Sequence, residues 1–310
     1  MRCWRAGATW RRLRRRRSPD RPASEHGRPV AHASHDERGR ADRVGGEQHR
    51  RRAPVPRELE RVRHRRHERR GPALARNAGA HEARGGVLAF TDADCFPAPG
   101  WLAAAWRALA DADLVQGAVL PEPGVEVGPC DRTIWVTEPR GLFETANLVV
   151  RRELFERLGG FESWLVPQRG IELGEDVWFG WRARRAGARI AFAPDALVHH
   201  AVFRGGVRDL VRARRRLRYF PALAQRIPEL RDELLWRRVF LTRRSAAFDA
   251  ALAGVAAAVV ARRPAPLVGA VPYALRLARD RRAAPVLLVG DAVGAAALVV
   301  GSVRYRSPVL

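Results

Sequence analysis

The 310-residue chain contains no lysine; all 57 of its basic residues are arginine. Against 33 acids they leave a formal net charge of +24. An arginine-only excess beside abundant Ala, Gly and Pro reads as GC-rich coding, not as a surface selected for charge. Cysteine is also scarce. Cys3, Cys95 and Cys130 show no C-x-x-C spacing, so neither a zinc site nor a disulfide framework is indicated, and a reducing compartment fits. The opening MRCWRAGATWRRLRRRR has no apolar h-region and does not read as a secretory signal.

Residues 1–70 lack apolar periodicity altogether. They hold 23 Arg, 9 acids and 6 of the 9 His, a net +14 from 23 minus 9. Such a segment cannot bury enough apolar surface to offset the entropy of ordering it. It is expected to be disordered or only locally helical. GC-rich DNA read out of frame gives the same composition, so an out-of-frame origin is the second expectation for it. Trp4 and Trp10 are its only Phe, Tyr or Trp residues. Without aromatic faces for bases to stack on, no nucleic-acid partner is expected.

From Gly71 the text becomes periodic. Gly71–Gly85 carries helix formers between two glycines. GVLAFTDAD, starting at Gly86, reads as a short, fully buried strand running into two acids. Ala98–Ala112 reads as a helix and Asp113–Pro123 as a strand. Thr145–Phe161 reads as a strand and then a short helix. Gly174–Gly187 reads as a helix with Glu175 and Asp176 in its first turn, favourable to the helix dipole. Ala188–His200 reads as a further strand. Alternating strands and helices predict an α/β sandwich with a largely parallel central sheet, followed by C-terminal helices. In such sheets ligands sit at the carboxyl ends of the strands, which is where TDAD falls.

On an extended backbone, residues i and i+2 share a side, so Asp92 and Asp94 are expected to aim together past the strand end. Adjacent carboxylates repel unless a cation sits with them, and hard oxygen donors suit Mg²⁺ or Mn²⁺. Such an ion would neutralise charge on a departing phosphate. By itself a D-x-D is common in Asp-rich turns.

RGPALARNAGAHEARGGVLAFTDADCFPAPGWL resembles the central block of the family 2 glycosyltransferases, which have the GT-A fold. ANLVVRRELFERLGGFES and GEDVWFGWRARRAGARIAFAPDALVHH resemble that family's acceptor-side blocks, in order and at its usual spacing. The resemblance covers about residues 70–220. It implies an inverting glycosyltransferase that moves a sugar from a nucleotide-diphosphate donor to a hydroxyl acceptor. It further implies that Arg76 and Asn77 face the diphosphate and that Asp92 lies near the ribose and the metal. Asp94 would ligate the metal directly, and Asn147, beside Ala146, would line the sugar site. Asp176, paired with Glu175, would be the base that takes the acceptor proton, a role suited to a carboxyl raised by a neighbouring acid. One of His199 and His200, with His200 favoured, would complete the metal shell. Trp164, Trp178 and Trp181 around this helix read either as a sugar-facing wall or as core.

Members of that family open with two apolar strands that hold the nucleobase. Residues 1–70 contain neither; PRELERV (Pro56–Val62) resembles the approach to the second, and then the apolar run is lost. An upstream frameshift or misplaced start is therefore expected, leaving an unpaired apolar sheet edge. An inactive or truncated family member is one alternative that follows, and a basic protein that binds nucleic acid or anionic membrane is another.

The last third is different again. Val207–Leu230 is a strongly basic helical segment. Ala246–Ala261 and Ala283–Val303 are apolar, bordered by arginines, and each carries one acid, Asp249 and Asp291. They read as a membrane-associated helical hairpin attracted to anionic lipid. The domains expected are thus 1–70 (disordered or out of frame), 71–220 (GT-A-like) and 221–310 (helical, membrane-associated). A site at the cytoplasmic face of a membrane and a glycan or lipid-linked acceptor in the cell envelope follow from that reading.

Overall fold

A computed structural model describes residues 59–61, 71–167 and 172–310. The expectations placed on 1–58 and 62–70 lie outside the described residues. Within them a six-stranded sheet runs in the order β1-β2-β5-β4-β6-β3. The strands are β1 (Leu59–Arg61), β2 (Val87–Phe90), β3 (Cys95–Pro97), β4 (Leu114–Pro121), β5 (Leu148–Arg151) and β6 (Ile190–His200). β1–β2 and β4–β6 pair parallel; β5 runs antiparallel to both β2 and β4, and β3 antiparallel to β6. Four of the six strands therefore share one direction, and the sheet is mixed, with β5 and β3 reversed.

β1 corrects one expectation. Leu59–Arg61 lies inside PRELERV and pairs in register with Val87–Ala89. The inner edge of β2 is covered, so the open apolar edge expected there does not form.

The alternation of β2 explains its fully apolar text. Leu88 and Phe90 enter one buried cluster, while Val87 and Ala89 enter another. β5 divides the same way, with Leu148 and Val150 on one side and Val149 on the other. Both faces are buried, so the strands need no polar alternation. Helix α1 (Pro72–Glu82), α3 (Arg152–Arg157) and α4 (Glu175–Arg185) cover the first face, and α2 (Trp101–Ala108) covers the second. Phe90, Phe155, Phe161 and Phe179 stack between sheet and helices with centroids 4.9–5.5 Å apart.

The basic segment from Val207 is not one helix. It breaks into α5 (Val207–Arg215), a 3-10 turn at Arg216–Tyr219 and α6 (Phe220–Arg226), with Pro221 in the first turn of α6. α7 (Leu230–Glu233), α8 (Arg243–Ala261), α9 (Val271–Arg279) and α10 (Ala284–Arg304) complete the chain. Phe220, Leu223, Ile227, Leu230, Leu298 and Val309 join the first-face cluster. No break in the core falls at residue 220.

Asn147 departs from its expected place at the sugar site. It is fully buried in the 3-10 turn Thr145–Asn147 before β5. Its Oδ1 accepts from the Trp101 indole at 2.8 Å, and its Nδ2 donates to the carbonyls of Ala118 (2.8 Å) and Ala196 (2.6 Å). It is a knot joining α2, β4 and β6. Truncation would strand a buried donor and two acceptors. Asn147→Ala is expected to lower the unfolding free energy by about 3 kcal/mol in urea titration; a change near zero would contradict the knot.

Candidate active site

The cleft opens at the end where β2, β4 and β6 finish. After Phe90 the chain turns at once: the Cys95 amide donates to the Asp92 carbonyl at 3.1 Å, closing a four-residue turn. Asp92 and Asp94 therefore sit in a turn and not on a strand, and the two carboxyls part. Asp92 accepts from Arg76 at 3.0 Å, whereas Asp94 Oδ2 lies 3.4 Å from His200 Nε2. Both still line one cleft of about 730 Å³.

Across that cleft stands the N-terminus of α4. Gly174 precedes it at φ 72°, a left-handed conformation, and a Cβ there would lie 2.5 Å from Leu223 Cδ2. Glycine is needed on both counts. The indole of Trp164 donates to its carbonyl at 3.1 Å and holds the entry to the helix. Glu175 and Asp176 follow in the first turn, where the dipole favours them.

Arg76 on α1 ties the two walls together. Its guanidinium meets Asp92 at 3.0 Å and Glu175 at 2.8 Å. Burial alone would lower its pKa, but the carboxylates of Asp92, Glu175 and Asp176 outweigh that and hold it above its ordinary value. Asp176 moves the opposite way to an ordinary carboxylate. Burial and then the neighbouring Glu175 push it up to about 8, although Arg76 and the Val177 amide pull downward.

His200 ends β6 and is fully buried. Its Nδ1 sits 2.6 Å from the Ala201 carbonyl, which can only accept. That contact assigns the ring proton to Nδ1 and leaves the lone pair on Nε2. Nε2 is buried without a hydrogen-bond partner among the described residues. Asp94, Cys95 and His200 bring their donor atoms within 4.8 Å of one another. An orphaned imidazole nitrogen backed by a carbonyl and facing a carboxylate fits a divalent cation. His199 points the other way, Nδ1 at 3.1 Å from the Pro121 carbonyl, as alternation along a strand requires.

Of the residues expected here, Arg76, Asp92, Asp94, Glu175 and Asp176 line the cleft. His200 reaches it from behind through Asp94. Asn77 does not line it: it exchanges two 2.8 Å hydrogen bonds with the Phe161 backbone and fastens α1 to the loop after α3. Asn147 is the knot described above. Trp164, Trp178 and Trp181 are absent from the lining; Trp178 donates to Glu162 and Trp181 to the Gly141 carbonyl. Two participants were missed. Cys95 follows Asp94 directly in the sequence, so the signal was present; burial, then Asp92 and Asp94, push its thiol up to about 12. Arg132, in the cleft wall with its guanidinium 4.5 Å over the Phe203 ring, carried no pattern that could mark it.

Fold and cleft together define an α/β protein whose ligand cavity lies at the carboxyl ends of its parallel strands, lined by carboxylates and a shared arginine. Residues 49–161 match the family model of glycosyl transferase family 2. The chain is 32% identical over 143 residues to glycosyltransferase AglE of Haloferax volcanii, covering 43% of this chain and 45% of that protein. It is 28% identical over 147 residues to the pre-mycofactocin glycosyltransferase of Mycobacterium tuberculosis, covering 42% of this chain and 30% of that one. The chain thus spans less than half the length of these curated relatives. Among solved structures it is similar to the mannosyltransferase PcManGT from Pyrobaculum calidifontis in complex with GDP-Man and Mn²⁺, with 26% identity and a TM-score of 0.49 over 77% of this chain and 67% of that one. Over residues 49–161 the chain is thus similar to glycosyl transferase family 2.

Whether Asp94, Cys95 and His200 take a cation can be tested without turnover. Electron paramagnetic resonance of added Mn²⁺ is expected to report one bound ion per chain. His200→Ala should weaken it roughly tenfold or more and Asp94→Ala should abolish it; unchanged binding in both variants would contradict the ligand set.

Proposed function

We propose that the chain transfers a sugar from a nucleotide-diphosphate donor to a hydroxyl acceptor with inversion at the anomeric carbon. The observation that carries this reading is the Arg76 bridge, which holds Asp92 at the sheet end and Glu175 at the start of α4 in one cleft.

Asp176 is the base. Its carboxylate takes the proton of the acceptor hydroxyl while that oxygen bonds to the anomeric carbon. The bond from that carbon to the diphosphate breaks, and its electron pair leaves with the diphosphate. Glu175, held by Arg76, fixes the helix turn that presents Asp176 and keeps the neighbouring carboxyl basic. Asp94 and His200, with Cys95 beside them, would hold Mg²⁺ or Mn²⁺. When bound, such an ion supplies positive charge to the leaving diphosphate. Arg76 and Arg132 add fixed cationic charge to the same cavity.

The acceptor is proposed to be a glycan or a lipid-linked alcohol of the cell envelope, met at the cytoplasmic face of a membrane. Support for the membrane part comes from α8 and α10, which are long and apolar enough to cross one.

A general base must be ionised to act, and burial raises the proton affinity of Asp176. Transfer activity is expected to fall as pH drops through about 8, well above the usual carboxylate range. Asp176→Asn should cut kcat by about a thousandfold with donor affinity little changed. A flat profile from pH 5 to 9, or full activity in this variant, would remove Asp176 from the role.

A further inference from the structure

The C-terminal helices pose a question that length and hydropathy leave open: do they cross a bilayer or rest on it? α8 has 19 residues and holds an 18-residue stretch of mean hydropathy 1.5, and α10 has 21 and holds one of mean hydropathy 2.1. Either would span about 30 Å at 1.5 Å per residue.

One face of α10 is already committed. A Cβ on Gly290 would lie 3.2 Å from Leu210, one on Gly294 3.4 Å from Leu217, and one on Gly301 2.2 Å from the Arg218 carbonyl oxygen. The contacts advance together along both segments, so α10 lies lengthwise against α5 and the turn that follows it. That same segment forms a cleft wall and carries exposed Arg208, Arg212 and Arg215. If α10 crossed the bilayer, it would draw these guanidinium groups into hydrocarbon beside it. Charges at that depth are strongly disfavoured.

The far half of α8 and the 3-10 turn packed on it (Ala265–Ala270) are apolar and uncovered. Val259, Val260 and Val268 are 71%, 84% and 72% exposed, more apolar surface than water alone favours. Exposed Arg262, Arg263, Arg279, Arg281 and Arg282 border it. The acid within α10 does not face outward: Asp291 accepts from Arg244 at 2.7 Å and from the Tyr273 hydroxyl at 2.9 Å, which clamps α8, α9 and α10 into one body.

We propose that α8–α10 form a monotopic docking face for an anionic bilayer. They enter one leaflet and do not cross. The arginine border pairs with lipid phosphates, and the valine surface enters the acyl boundary. Because α10 carries α5 on its back, the cleft is held beside the headgroups on the same side as the arginines. The inference rests on the membrane reading above and specifies it.

Three measurements test it. Flotation of the full chain with phosphatidylglycerol vesicles is expected, with little flotation on phosphatidylcholine. Val259→Asp with Val260→Asp should reduce it roughly tenfold without changing the far-UV circular dichroism. In sealed inside-out vesicles from expressing cells, an impermeant maleimide should label both Arg262→Cys and Arg208→Cys above the parent chain, and in spheroplasts neither. Labelling of the two from opposite sides would show a spanning hairpin; that overturns the monotopic face and leaves the membrane reading standing. Absence of flotation with anionic vesicles overturns both, as would a soluble dimer whose formation is lost in the double valine variant.

Discussion

Everything at the cleft depends on one guanidinium. Arg76 stands between the carboxylate of Asp92, at the end of the sheet, and that of Glu175, at the start of α4. Those elements come from segments far apart in the chain. Without the cation, three partly buried acids would face one another across a narrow space and either repel or take up protons. Removing one partner from such a buried arrangement costs more than the arrangement itself contributes, because the partners left behind remain uncompensated. The bridge also divides the labour of the acids. Asp92 and Glu175 are held as partners of Arg76, Asp94 is turned toward His200, and Asp176 is left with a raised proton affinity beside the cavity.

The scaffold supplies the rigidity this needs. The sheet is buried on both faces, and Asn147 locks α2 to two of its strands from inside. Gly174 lets α4 begin where a side chain would strike Leu223. Asp131 fixes the far rim by accepting from the amides of Gly128 and Gly205 and from Arg204. Burial works against its charge, but these donors prevail and hold it below its ordinary value.

Much of this was legible in the residues. The apolar run before TDAD announced a two-sided buried strand, and a glycine followed by two acids announced a helix start. What failed had a physical cause each time. Asn147 and Asn77 carry the same amide group whether they meet a ligand or bind backbone, and only the three-dimensional partners decide which. The i, i+2 rule for Asp92 and Asp94 presumed an extended chain, but the turn begins immediately after Phe90. By contrast, the choice of His200 over His199 follows from strand alternation once the end of β6 is known. β1 went unread because Leu59–Arg61 is too short and too charged to show a period; its strand is induced by pairing with Val87–Ala89. The antiparallel insertion of β5 left no mark in its own four residues either.

The basic and apolar characters of the chain meet at α5, which is cleft wall on one side and the seat of α10 on the other. The proposed chemistry and the proposed membrane placement therefore share a single helix. The central claim is that this cleft takes a nucleoside diphosphate through a divalent cation. Calorimetric titration of GDP and UDP, each with Mn²⁺ and then with EDTA, tests it most directly. Saturable binding of at least one of them that requires Mn²⁺ is the predicted result. Equal affinity in EDTA, or no binding of either with the cation present, would contradict it.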